Sequence, residues 1–258
     1  MKKAVLAAVV AALGVASFGA SAASLDLRTE YKHDQERFAY RAKLSESFGA
    51  WKFGIEQKFE SGKLNSAHGG DGSYGGFLQN LQRGDSEFDW NYTHKFDKQL
   101  YMELGAPITF GSDSYTVKPG VRLGYRFDTE GKTRVTGRYR HEMRSYSGTS
   151  SSRNSTSDYN IHKFTGTLDH TFFGAVNAKV EGNFWENTND RAGNVVRSHG
   201  EAPRGYDYGL ILTPKMSGNV TPYAELWDSP YSTTNTVNSS LKDAKRELKS
   251  RVGIKFKF

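Results

Sequence analysis

Seven basic side chains occupy one face of two neighbouring segments, 115–127 and 132–146. They recur at even positions, and residues two apart in an extended chain point the same way. Within these segments only one acid, Glu142, shares that face. Because guanidinium groups stay charged and grip carboxylates through paired hydrogen bonds, such a row suits the binding of anions. The seven cations are Lys118, Arg122, Arg126, Arg134, Arg138, Arg140 and Arg144.

The opposite face of these segments is apolar and aromatic, and the end of the chain repeats the pattern. Leu248, Val252 and Phe256 alternate with basic residues up to the terminal Phe258. An apolar stripe set against a charged one is typical of a transmembrane β-barrel, whose strands face lipid on one side and a wet lumen on the other. The pattern predicts an all-β, antiparallel barrel surrounded by outer-membrane lipid. The closing strand resembles the assembly signal of Gram-negative outer-membrane barrels, which implies recognition of Phe258 by the barrel assembly machinery.

Twelve segments with this alternation can be counted, which predicts a barrel of twelve strands. Short turns and long polar loops alternate between them, as expected for periplasmic turns and extracellular loops. An even number of strands places both chain ends in the periplasm. Two weak segments interpreted as loops would leave ten strands instead. The segments are 24–33, 36–47, 50–61, 85–96, 99–109, 115–127, 132–146, 159–171, 175–187, 204–215, 219–228 and 244–258.

The start of the chain and its composition fit an exported protein. A short basic start is followed by an apolar, alanine-rich run and by small residues that fit a cleavage site. Residues 1–23 are therefore predicted to be a signal peptide, cleaved after Ala22 or Ala23, and 24–258 to be the barrel. No later apolar run reaches the roughly 18 residues of a membrane helix. The chain has no cysteine and a net charge of +7, which would suit nucleic acid, a membrane surface or acidic ligands.

Further cations are expected to point into the same lumen. Segments 50–61 and 85–96 carry nearly balanced charges there, so pairing that fills the barrel is the favoured interpretation for that wall. The seven-to-one excess on 115–146 favours a functional lining instead, because unpaired cations are costly in a dry interior and imply water. The other residues predicted to line the pore are Arg37, Arg41, Lys43, Lys249 and Arg251.

Three aromatic residues, Tyr101, Tyr146 and Trp185, are also expected to point inward by phase. Their rings could stack on sugar faces. The alternative is that they anchor the barrel at the membrane interfaces, as aromatic girdles do.

Short motifs resemble those of the oligogalacturonate-specific porins, which include the sialic-acid channel. The run Val-Thr-Gly-Arg-Tyr-Arg at 135–140 is similar to a strand of that family, and so are 24–28, 222–226 and 250–258. The resemblance implies a twelve-stranded monomeric channel with two basic tracks that passes acidic mono- or oligosaccharides. It assigns substrate contact to Arg138 and Arg140, without a cofactor.

Two other functions remain open at this point. A barrel hydrolase would need a serine with a positioned histidine, and Ser198-His199 and 84–86 are the nearest candidates. A non-conducting structural barrel would balance its interior charge. Nucleic-acid binding is set aside because it needs basic and aromatic residues on one exposed surface. His68 near Asp71 is an isolated pair without the spacing of a metal site.

Overall fold

The described part of the chain forms a closed antiparallel barrel of twelve strands, which confirms the predicted architecture and makes the ten-strand alternative wrong. A computed structural model describes residues 23–63, 73–112, 114–128, 132–146, 159–187, 204–231 and 245–258. Within these ranges, no helix has the length and apolar character needed to cross a bilayer. The strands are β1 Ser24–Lys32, β2 Arg37–Phe48, β3 Trp51–Ser61, β4 Leu81–Lys95, β5 Leu100–Gly105 with Ile108–Phe110, β6 Ser114–Val117 with Gly120–Arg126, β7 Thr133–Tyr146, β8 Tyr159–Phe172, β9 Val176–Asn187, β10 Arg204–Pro214, β11 Val220–Tyr231 and β12 Lys245–Lys257.

The first and last strands close the barrel. β1 and β12 pair in antiparallel register from Ser24 opposite Lys257 to Lys32 opposite Lys249. The remaining strands each pair with their neighbours in chain order. We call the end of the barrel that holds both chain termini the turn end, because tight connections such as Gly49-Ala50 lie there, and the opposite end the loop end. Gly49 has φ +60°, a conformation that a side chain would disfavour.

Alternation separates the two faces as predicted. Val252 is 63% exposed on the outer face, whereas the side chain of Arg251 beside it is only 17% exposed inside. Carboxylates such as Glu56 and Asp89 are buried within the lumen. The outer face therefore presents apolar side chains to the membrane lipid, and the charged side chains point into the lumen.

Prolines interrupt β5 and β6, which the alternation alone did not predict. Proline has no N–H to donate to a ladder, so Pro107 and Pro119 each end the regular pairing. The carbonyls of the two prolines remain paired: the Pro107 oxygen accepts from the Lys118 N–H at 2.8 Å, and the Pro119 oxygen from the His141 N–H at 2.9 Å. These two hydrogen bonds link neighbouring strands across the breaks.

The turn between β4 and β5 is held by one carboxylate. Asp97 accepts hydrogen bonds from the backbone N–H groups of Gln99 and Leu100, each at 2.6 Å. These bonds stabilise the charged form and hold the pKa of the Asp97 carboxyl below its usual value.

Replacing Asp97 by alanine is expected to lower the urea concentration at the unfolding midpoint near neutral pH. A pKa that is depressed in the folded state adds stability above the ordinary value of 3.8, and this stability is lost as the pH falls through the folded pKa. The gap between wild type and Asp97→Ala should therefore be constant at neutral pH and shrink toward pH 2. Urea midpoints in detergent micelles at several pH values measure this difference, with Lys98→Ala as the control. A difference between wild type and Asp97→Ala that does not change with pH would contradict the role given to the Asp97 carboxylate.

Candidate functional site

Two basic walls face each other across the lumen. One is carried by β1, β2, β11 and β12, and the other by β6 and β7, which lie half-way round the ring of strands. All twelve residues predicted to line the pore lie on these strands, on the inward face. The structure therefore collects the predicted residues in two groups rather than on a single wall.

Most cations of the β6–β7 wall have carboxylate partners, which corrects the expectation that they would lack internal neutralisation. Nη1 of Arg122 lies 2.9 Å from Glu103, and Nζ of Lys118 lies 2.8 Å from Glu87. These acids come from β4 and β5, and β8 supplies another. These acids cannot be recognised from the charges of the β6–β7 hairpin alone, because each of its strands also pairs with an outer neighbour. The remaining ion pairs of this wall are Arg134 with Asp169 and Arg140 with Glu142.

Arg138, in the middle part of this wall, lacks a partner of this kind within the described ranges. Among the described residues it makes no ion pair with a carboxylate. Its Nη2 donates to the Thr165 hydroxyl at 3.2 Å, and its Nε is buried without a hydrogen-bond partner. The Thr165 hydroxyl in turn donates to the Asn183 amide oxygen at 2.7 Å, so the hydroxyl is itself fixed. Arg138 thus presents a charge that the described part of the protein leaves unneutralised.

Arg126 and Arg144 lie at opposite ends of the β6–β7 wall, and each donates a hydrogen bond to an uncharged oxygen. Arg126 donates to the Lys98 carbonyl at 3.2 Å, and its guanidinium lies 5.3 Å from the centre of the Tyr101 ring. Nε of Arg144 donates to the Thr116 hydroxyl at 3.1 Å. Both side chains therefore keep a fixed position in the lumen.

The opposite wall is a connected network of charges. Arg251 bridges Glu30 at 2.5 Å and Glu225 at 2.9 Å, and Glu225 also lies 3.7 Å from Arg28. Arg41 binds Asp26 at 2.8 Å. The other predicted residues of this wall are paired too: Arg37 with Glu60, Lys43 with Asp89, and Lys249 with Glu247 at 4.0 Å.

Inward aromatic rings support several of these cations. Four rings lie flat over inward glycines directly opposite on the next strand, where an added Cβ atom would collide with the ring. The inward position predicted for Tyr101 and Trp185 is confirmed, while no side-chain position is described for Tyr146. Cations cover the lumen side of three rings, so these rings hold charges and are not free platforms for sugars. The four pairs are Tyr101 over Gly124, Trp185 over Gly205, Trp227 over Gly209 and Tyr223 over Gly253.

A polar recess of about 230 Å³ lies between the two walls, next to the proline breaks. Gly105, Pro107 and Gly120 line it on the side of these breaks. Six cations and three carboxylates also line it, among them Lys52 and Arg138. Neither of these two makes an ion pair with a described residue, so the recess carries an excess of positive charge. The others are Lys43, Lys118, Arg122, Arg140, Glu87, Asp89 and Glu103.

The residues considered for a hydrolase do not form a site in the described part of the chain. Ser198 and His199 lie outside the described residues, as do His68 and Asp71. The Ser86 hydroxyl donates to the Gln57 amide oxygen at 2.5 Å, which leaves the hydroxyl bound to an amide rather than to a base. An amide does not activate a serine, because it cannot take up the hydroxyl proton.

Comparison with known proteins agrees with this geometry. The family described as "Oligogalacturonate-specific porin protein (KdgM)" matches residues 16–258. The N-acetylneuraminic acid outer membrane channel protein NanC of Escherichia coli K12 is 24% identical over 239 residues, which are 92% of this chain and 90% of that protein. The NanC porin structure aligns with a TM-score of 0.68 at 20% identity, covering 91% of this chain and 100% of that chain. The KdgM porin in complex with disordered oligogalacturonate aligns with a TM-score of 0.60 at 18% identity, covering 91% and 99%.

The structural likeness establishes the fold, a β-barrel of the outer membrane. The family match covers every strand of that barrel, and its relatives are channels rather than enzymes. The chain therefore belongs to the oligogalacturonate-specific porin family.

Proposed function

We propose that this porin is a passive channel for acidic mono- and oligosaccharides, with uronates as the favoured class. The observation that carries the proposal is the positive excess in the central recess, where Arg138 and Lys52 lack carboxylate partners among the described residues. The names of the relatives point the same way, since one is a channel for N-acetylneuraminic acid and another was solved with oligogalacturonate. Both of those solutes carry carboxylates.

The recess suits transport because its cations can both attract an anionic solute and release it. A carboxylate that enters the recess meets the guanidinium of Arg138 and can replace water around it. The paired cations, such as Arg122 with Glu103, hold the wall in place and add little net charge. A single unneutralised cation in water attracts an anion by about 1 kcal/mol at 4 Å, which is strong enough to select and weak enough to release. The gradient of the solute drives the flow, and no cofactor or reaction is needed.

The proposal includes the placement of the chain in the cell. The turn end faces the periplasm, the loop end faces outward, and the protein works as a monomer. A signal peptide is removed after Ala22 or Ala23, and the barrel assembly machinery recognises the strand that ends at Phe258. The Ala23 carbonyl accepts a hydrogen bond from the Phe258 N–H at 3.0 Å; cleavage after Ala22 would retain this bond, and cleavage after Ala23 would remove it.

Purified protein in a planar bilayer under a salt gradient is expected to show an anion-selective reversal potential. Oligogalacturonate should interrupt the current at concentrations at which a neutral oligosaccharide of the same length does not, because only the former can exchange water for the recess cations. N-acetylneuraminate, added separately, tests whether a monosaccharide suffices. A channel that is cation-selective, or that both oligosaccharides block equally, would refute acidic sugars as the substrate. A folded barrel without conductance would refute the channel itself.

A further inference from the structure

The outer wall of β7, β8 and β9 carries a trough whose floor consists of three glycines. Gly137, Gly166 and Gly182 lie side by side in direct register on these strands. Their neighbours two residues toward the loop end form an aromatic rim, and those two residues toward the turn end form an aliphatic rim. The aromatic rim is Tyr139, Phe164 and Phe184, continued by Tyr206 on β10, and the aliphatic rim is Val135, Leu168 and Val180, continued by Leu210 on β10.

Nothing in the described part of the protein fills this trough. A Cβ atom added at any of the three glycines would have no other atom within 4 Å, although the side chains of both rims stand out from the wall. Phe164 and Leu168, on either side of Gly166, are each about half exposed. An open, almost wholly apolar cavity of about 690 Å³ lies over the glycine floor and against the aromatic rim. It ends at Leu123 on β6 and at Tyr208 on β10, the residues opposite the outermost glycines.

A polar row marks the depth of the trough in the membrane. Directly beyond the aromatic rim, toward the loop end, His141, His162, Glu186 and Arg204 face one another across the strands. Arg204 binds Glu186 at 2.7 Å, and the Tyr139 hydroxyl lies 2.6 Å from Nδ1 of His162. A row of charged and imidazole groups above a row of rings is typical of the border between headgroups and hydrocarbon. The aromatic rim therefore lies at the border of the hydrocarbon on the loop-end side, and the glycine floor lies within the hydrocarbon.

We propose that the trough is a binding site for one acyl chain of an outer-membrane lipid. It is continuous with the membrane-facing surface, so hydrocarbon has direct access. Its rims are four residues apart along each strand, which separates their backbone atoms by about 13 Å. The rim side chains take up part of this distance, and the remaining width fits a single acyl chain. A second copy of this barrel is a poor occupant, because a two-fold dimer would oppose one hollow to another and fill neither. The gain over ordinary surrounding lipid is the contact made on three sides, by floor and both rims.

The experiment uses the full barrel in phosphatidylethanolamine vesicles that contain a trace of the same lipid with a diazirine in its acyl chain. After illumination, mass spectrometry maps the labelled peptides. Labelling of the 135–139, 164–168 and 180–184 segments is expected to exceed that of the outer face of β2 by about fivefold, the ratio for a modest gain in contact energy. Filling the floor in the double variant Gly166→Leu, Gly182→Leu should remove this excess. The open space above both glycines means that the variant should still fold.

Two controls make the result decisive. Ala224→Leu adds the same side chain to the exposed outer face of β11, away from the trough, and should leave the labelling excess intact. Uniform labelling around the barrel would overturn the proposal, since the lipid would then be ordinary surrounding lipid. A dimer in the mass of the unlabelled protein that disappears in the double variant would also overturn it, in favour of a second copy. This outcome is independent of conductance, so it does not depend on the proposed function.

Discussion

Replacing Arg138 by alanine is expected to lower the ratio of anion to cation permeability about fivefold while the barrel still folds. The factor corresponds to the roughly 1 kcal/mol that a unit charge contributes at about 4 Å in water. Among the described residues Arg138 has no carboxylate partner, so its removal leaves no acid uncompensated and takes away only a bond to the Thr165 hydroxyl. Reversal potentials under a salt gradient measure the ratio, and circular dichroism checks the fold.

A matched variant separates this local effect from a change in total charge. Arg204→Ala removes the same cation from the outer face, where Arg204 is exposed and paired with Glu186, and should leave selectivity nearly unchanged. Arg140→Ala is a poorer test, because it would strand the buried Glu142 as well as remove a cation. An Arg138→Ala channel with wild-type selectivity would show that the recess does not select the permeating ion.

Replacing Arg251 by alanine is expected to lower the free energy of unfolding by about 3 kcal/mol, the cost of breaking a largely buried ion pair. Arg251 lies between Glu30 and Glu225 and over the Trp227 ring, at 4.9 Å from its centre. Without it the two carboxylates that flank β12, Glu30 on β1 and Glu225 on β11, lose the cation that lies between them at the seam where β12 meets both strands. Urea unfolding in detergent or lipid vesicles, followed by tryptophan fluorescence, measures the change.

Two further variants test the explanation. Lys257→Ala removes a cation from the same strand, one without an ion pair among the described residues, and should cost less than about 1 kcal/mol. Adding Glu225→Gln to Arg251→Ala removes one of the stranded charges and should recover part of the loss. If Arg251→Ala unfolded at the same urea concentration as wild type, the network would have no role in holding the seam.

The barrel itself was predictable from the sequence because its two solvents impose a two-residue period. Val252 must point to lipid and Arg251 to water, and this alternation can be recognised without knowing which strands pair. The same period located the inward cations of β2, β6, β7 and β12. The terminal Phe258 and the run 135–140 then indicated the family.

The ion pairs could not be predicted in the same way because they depend on register between strands. Glu103 lies opposite Arg122 only once β5 and β6 are aligned, and the alignment includes two interruptions caused by Pro107 and Pro119. Arg138 stands out only after its neighbours have been paired off. The sequence does show that an inward aromatic residue and an inward glycine recur on adjacent strands. It does not show that the ring lies over the glycine, because that depends on the register between the strands.

The closure of β1 onto β12 sets the order of events when this protein is made. Ser24 finds its partner Lys257 only when the last residues of the chain have been synthesised and exported. Until then the first strand has one unsatisfied edge, and an open edge of this kind is a template for aggregation. Pairing across nearly the whole chain also makes folding slow, because a very large loop must close before the contact is gained. A sheet formed without β12 would therefore expose β1 to pairing with another chain, and closure by β12 removes that edge.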